Sequence, residues 1–204
     1  MKKTAKLFSY IFHPITVPFL TTLLYFSLAH FYFSSVEMSI ILGQVLITTC
    51  LLPICIYFLL RSLKLVNTSV MVSSRKERII PFIINIVLLF MLKDYILYNN
   101  SAYTIRLYIW GLMNSYLLLL LFGLLKQKSS VHITTLVTSF MFYIYVLVEL
   151  QQPNIIGVIL FVFLIGIVAC SRLLLRAHTS KEIIQGFCIG IIPSLVYIFI
   201  NYKI

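Results

Sequence analysis

Acidic residues are scarce: five Asp and Glu stand against 16 Lys and Arg in 204 residues. A hard divalent cation is held by oxygen ligands, carboxylates foremost, and the chain contains neither an HExxH string nor a DxD-like cluster. No dedicated metal site and no cofactor is therefore expected. The four cysteines, Cys50, Cys55, Cys170 and Cys188, fall inside apolar segments without the paired short spacing of a zinc site, and they read as buried hydrophobes. Charge of either sign is sparse as well, at 10% of residues against the roughly 25% of a soluble domain. That excludes an ordinary soluble fold. No Pro/Gly/Ser linker, internal repeat or low-complexity tract divides the chain, so residues 1–204 read as a single transmembrane domain.

What is present is hydrocarbon: 61% of the residues are apolar and the mean hydropathy is +1.06. A spanning helix needs roughly 20 apolar residues. Candidate spans lie at about 10–33, 38–60, 79–98, 104–125, 133–150, 154–174 and 183–201. The fold class expected is all-α, a polytopic transmembrane helix bundle of six or seven spans. The run from Leu7 to Phe33 lacks a small-residue cleavage site and reads as a retained first span. The third span is the weakest, because Lys93 and Asp94 interrupt it.

The cations are unevenly placed. Connections after the second, fourth and sixth candidate spans are basic, with Arg61, Lys64, Arg75, Lys76 and Arg78, then Lys126 and Lys128, then Arg172, Arg176 and Lys181. Each is separated from the next by two crossings, which return the chain to the same side, so these connections should meet on one face. The other face holds only Lys93, Arg106 and Lys203. The positive-inside rule alone would make the basic face cytoplasmic. The charges stand singly or in small groups beside spans, which points to anionic lipid headgroups and phosphate esters as partners within the lipid bilayer and away from nucleic acid. Phe and Tyr, 16 and 13 in number, suit interfacial belts more than a base-stacking platform.

Two of the basic connections also carry serine and histidine. One reads Lys128-Ser129-Ser130-Val131-His132; the other reads Ser171-Arg172, five residues, His178, three residues, Glu182. If His178 begins the last helix, the i,i+4 spacing brings the Glu182 carboxylate to its imidazole, where it can orient the ring and stabilise the imidazolium. Arg172 can grip phosphate oxygens through its planar fork. Taken singly, His132 and His178 suit interfacial histidines satisfied by water; it is their joint spacing with Ser, Arg and Glu that argues for chemistry. His13 and His30 have no partner legible in the sequence and read as structural.

These strings resemble the type 2 phosphatidic acid phosphatase superfamily. Ser171 to Glu182 is similar to its third motif, Ser-Arg, five residues, His, three residues, Asp, with Glu182 in place of the aspartate. Ser129-Ser130-Val131-His132 answers its second motif, Pro-Ser-Gly-His, and Arg75, Lys76, Arg78 and Pro81 answer its first loosely. The resemblance implies a phosphatase-like core over about 70–204, with the N-terminal two spans, 10–60, as accessory elements. It further implies metal-independent hydrolysis of a lipid phosphate or diphosphate, such as polyprenyl diphosphate or phosphatidic acid, through a phosphohistidine. His178 would be the nucleophile, Glu182 its orienter and His132 the proton donor to the leaving group. Arg172, Ser130, Lys128, Arg75, Lys76 and Arg78 would bind the phosphate. The family's placement puts such a site on the periplasmic face of a bacterial inner membrane, against the charge count. The alternative is a catalytically inactive relative that binds phospholipid headgroups as a transporter or scaffold. No oligomeric state follows from the sequence.

Overall fold

The structure is a computed structural model that describes residues 2–64, 75–98 and 102–202; the side chains of 75–77 and 201–202 are not among those described. The elements are all helical. An amphipathic α1 (Lys2–Ile11) precedes α2 (Val17–Ala29), which ends in a 3-10 turn, His30–Tyr32. Next, α3 (Ser35–Leu46) runs through a π-helical stretch, Ile47–Leu51, into α4 (Leu52–Ser62). The others are α5 (Arg75–Met91, continued by a π turn over Leu92–Ile96), α6 (Tyr103–Leu124), α7 (Val131–Glu149), α8 (Ile155–Leu174) and α9 (Ser180–Tyr202). Six helical stretches, beginning at Ser35, Arg78, Tyr103, Val131, Ile155 and Ser180, are long and apolar enough to cross a bilayer. The protein is an all-α integral membrane bundle.

Its first segment departs from the sequence reading. The apolar run expected to cross as one helix over 10–33 is broken at Phe12–Thr16, because Pro14 has no N–H for the helical ladder and disfavours helical geometry at His13. Thr16 fixes the break by donating its hydroxyl to the carbonyls of Ile11 (2.8 Å) and His13 (2.9 Å). The chain before it becomes α1, which buries Ala5 and Ser9 and exposes Lys2, Lys3 and Lys6. Two other interruptions stay inside their helices. Pro53 cannot donate to the preceding turn, and the backbone widens to π geometry just ahead of it. Lys93 and Asp94 pair with each other in the π turn that ends α5, so the charges do not shorten that span. The cysteines are also corrected: all four are free thiols, yet only Cys50 is buried, while Cys55, Cys170 and Cys188 are exposed on the outer faces of their helices. In a bilayer such faces meet lipid, so an apolar thiol gains nothing by turning inward.

The most enclosed helix is α7, with Ile133, Leu136, Val137, Phe142 and Val146 in the core. It packs on α9 through Gly186 and Gly190, a small-residue spacing that lets two backbones approach closely. A Cβ on Gly186 would stand 2.7 Å from the Ser130 carbonyl oxygen, and one on Gly190 would stand 2.7 Å from that of Thr134. Across this seam the Thr134 hydroxyl donates to the Gly186 carbonyl (3.0 Å) and the Thr138 hydroxyl to that of Gly190 (3.3 Å). Gly190→Ala should therefore cost about 1–3 kcal/mol by overpacking against backbone that cannot turn aside. Gly43→Ala, where the added methyl meets nothing within 4 Å, should instead stabilise by about 0.5–1 kcal/mol through helix propensity. Thermal unfolding of the two variants in detergent should give shifts of opposite sign.

Candidate active site

Four connections come together at one end of the bundle: the turn Phe12–Thr16, the start of α5, and the α6–α7 and α8–α9 links. The α8–α9 link is shaped by its own capping. Helix α8 closes in a Schellman turn with Arg176 at φ 51°, the Arg176 N–H donating to Leu173 O (2.9 Å) and the Ala177 N–H to Arg172 O (3.0 Å). Two residues later α9 opens on a capping box. The Thr179 hydroxyl accepts from the Glu182 N–H (3.3 Å), and the Glu182 carboxylate accepts from the Thr179 N–H (3.2 Å).

The same carboxylate oxygen, Oε2, lies 2.8 Å from His178 Nδ1. A carboxylate only accepts, so Nδ1 carries the proton and Nε2 keeps its lone pair. Here the extra methylene of Glu182 has a use, because a capping box takes Glu at this position to reach back over the first turn. His178 is 7% exposed. Burial lowers its pKa from 6.5 to about 4; the Glu182 hydrogen bond opposes that shift, and the charges of Arg78, Arg172 and Lys128 reinforce it. The ring is thus neutral at pH 7 and remains so well below 6.5.

The two links are tied together. Lys128 Nζ donates to Ala177 O (3.1 Å), and the Ser130 N–H donates to Glu182 O (3.0 Å). Ser130 is the N-cap of α7, but its hydroxyl does not cap the helix. It is 0% exposed, and like that of Ser129 it has no hydrogen-bond partner among the described residues. Val131 is the first residue of α7 and has ordinary helical backbone, so this chain needs no glycine there.

A cavity of ≈ 130 Å³ lies between these elements, with His132, His178, Arg172, Arg78 and His13 among its walls. Arg172, on the last turn of α8, is 5% exposed. Arg78, on the first turns of α5, reaches Ser129 O with Nη1 at 3.5 Å. His132 Nε2 lies 3.2 Å from the Ser9 carbonyl. It must be the donor there, which leaves Nδ1 to exchange a proton. The cavity therefore offers an unprotonated, oriented imidazole nitrogen on His178, two guanidinium groups and two further imidazoles, those of His132 and His13. No group of three or more His, Cys, Asp or Glu suited to a metal occurs among the described residues.

Of the residues singled out in the sequence, His178, His132, Arg172 and Arg78 line the cavity, Glu182 stands behind His178, and Lys128 and Ser130 hold the links together. The side chains of Arg75 and Lys76 lie outside the described residues. Sequence reasoning missed His13, which packs edge-on against His132 with ring centroids 5.3 Å apart. The available signal was Pro14 beside it, since a proline inside an apolar run marks a break. No family model, no curated protein sequence and no solved structure matches the chain.

Proposed function

We propose that the protein is a membrane phosphatase of the type 2 phosphatidic acid phosphatase superfamily that hydrolyses a lipid phosphate or diphosphate. One observation carries this reading: an oriented, neutral histidine, His178 on Glu182, faces the same small cavity as the buried Arg172, the half-buried Arg78 and a second histidine, His132. His178 Nε2 attacks phosphorus and the N–P bond forms as the P–O bond to the lipid breaks. His132, charged at Nδ1 once the phosphate's negative charge is in the cavity, gives that Nδ1 proton to the departing oxygen while its Nε2–H stays on the Ser9 carbonyl. His132, now neutral, takes a proton back at Nδ1 from the water that cleaves the phosphohistidine, which releases inorganic phosphate and restores the free imidazole of His178. Arg172 and Arg78 hold the equatorial oxygens, where the charge of the transferring group is spread.

A lipid fits better than a soluble ester, because the cavity opens at the end of a membrane bundle. An apolar groove of ≈ 730 Å³ between α1 and α8 also reaches Ser171 and Leu174, on either side of Arg172 in the chain. The location that belongs to this reading is the inner membrane of a bacterium with the site on its periplasmic face, and the site's own cations make up part of the charge excess there.

Purified protein given a panel of lipid phosphates should release phosphate in excess EDTA, and orthovanadate should inhibit it. The basis is the acid inventory: the Glu182 carboxylate is already taken by His178 and Thr179, and a magnesium site normally uses one or two carboxylates. Loss of activity on chelation, restored by magnesium, would contradict the mechanism. Vanadate binding without turnover of any lipid would favour the headgroup-binding alternative.

A further inference from the structure

The turn before α2 is built with unusual care for a segment remote in sequence from every motif. Pro14 sets the break, the Thr16 hydroxyl pins it, and the His13 carbonyl accepts from the N–H groups of Thr16 (2.9 Å) and Val17 (3.1 Å). The His13 side chain is fixed too, because its Nδ1 lies 3.3 Å from the Ile15 backbone N–H. A backbone N–H only donates, so Nδ1 is the acceptor and the proton of the neutral ring sits on Nε2. The imidazole meets His132 edge to face at 83° and lines the same cavity as Arg78, Arg172 and His178. Burial first, and the Arg172 charge second, lower its pKa from 6.5 to about 4, so the ring is a neutral donor at pH 7. Ile15 supplies the one hydrogen bond this ring makes among the described residues, and it uses the nitrogen that does not donate.

We propose that His13 is a substrate ligand, its Nε2–H donating to an oxygen of the phosphoryl group seated between Arg172, Arg78 and His178. This rests on the phosphate reading above. The N-terminal turn then forms a wall of the anion site and stops being accessory. A neutral donor suits that position, since the cavity already holds two guanidinium groups and a third cation would be costly to bury without a substrate present. The same segment also orients His132, whose Nε2–H donates to the Ser9 carbonyl of α1.

The test uses full-length protein in nanodiscs, with the rise in melting temperature measured against orthovanadate and inorganic phosphate concentration. His13→Phe keeps a flat ring against His132 and removes the donor; His13→Gln keeps an N–H at similar reach. A donor to a charged oxygen predicts vanadate binding about 10–100-fold weaker in His13→Phe and within about threefold of wild type in His13→Gln. Unchanged binding in His13→Phe overturns the assignment and leaves the phosphatase reading standing. Equal weakening in both variants, with a lowered melting temperature in the absence of anion, shows a structural role and also overturns it. If the wild type binds neither anion, this inference and the anion-site reading fall together. If the wild type binds vanadate but turns over no lipid phosphate, the catalytic reading fails while the two variants still decide the role of His13.

Discussion

Replacing His178 with alanine should reduce phosphate release by about 10⁴-fold or more, the scale on which loss of a covalent nucleophile is felt. The protein should remain folded. His178 lies at a helix entry, and the cap of α9 survives its loss, because the Thr179 hydroxyl and the Glu182 carboxylate still satisfy each other's backbone N–H groups. Thermal unfolding in detergent would check that point beside the activity measurement. The pH profile of the wild type gives a second handle. A histidine whose folded pKa is lowered stays unprotonated as the pH falls, so the nucleophile's acid limb in kcat/KM should lie below 6.5, toward 4. Near-normal turnover in His178→Ala would remove His178 as the nucleophile.

Much of this arrangement is legible in the residues, for reasons of periodicity and parity. Spans are long apolar runs whatever they pack against, so α6, α7, α8 and α9 fall within a few residues of the hydropathy reading. The i,i+4 spacing of His178 and Glu182 anticipates their 2.8 Å contact, since helical geometry at the start of α9 is enough to make it. Counting crossings gathers Arg78, Lys128 and Arg172 at one end without any knowledge of packing. What escapes the sequence depends on packing between distant segments. The break at His13-Pro14 hides within an apolar run, and the burial of that turn requires α1 to fold back along α8. The Ser9 contact to His132 uses a backbone carbonyl, which every residue possesses, so no side chain announces it. The cysteines mislead because an apolar residue in a membrane span is as comfortable facing lipid as facing the core.

Glu182→Gln should separate two roles that one carboxylate performs. In the folded state Glu182 is the N3 residue of a capping box, a position where glutamine serves nearly as well as glutamate. Its amide oxygen can still accept from the Thr179 N–H, so the melting temperature should change little. Catalysis should suffer far more. As His178 Nε2 attacks, positive charge develops on the ring, and the carboxylate on Nδ1 is the group placed to stabilise it. A neutral amide keeps a hydrogen bond at best. If its NH₂ group turns to Nδ1 instead, it forces the proton onto Nε2 and removes the lone pair that attacks. By either route turnover should fall by about 10²–10⁴-fold, the range set by losing charge alone or the productive tautomer as well. Glu182→Ala removes both roles and should lose activity together with about 0.5–2 kcal/mol of stability from the missing cap. Phosphate release and thermal unfolding measured on the pair would test this. Should Glu182→Gln lose stability as Glu182→Ala does and keep its activity, the carboxylate serves the helix and not the histidine.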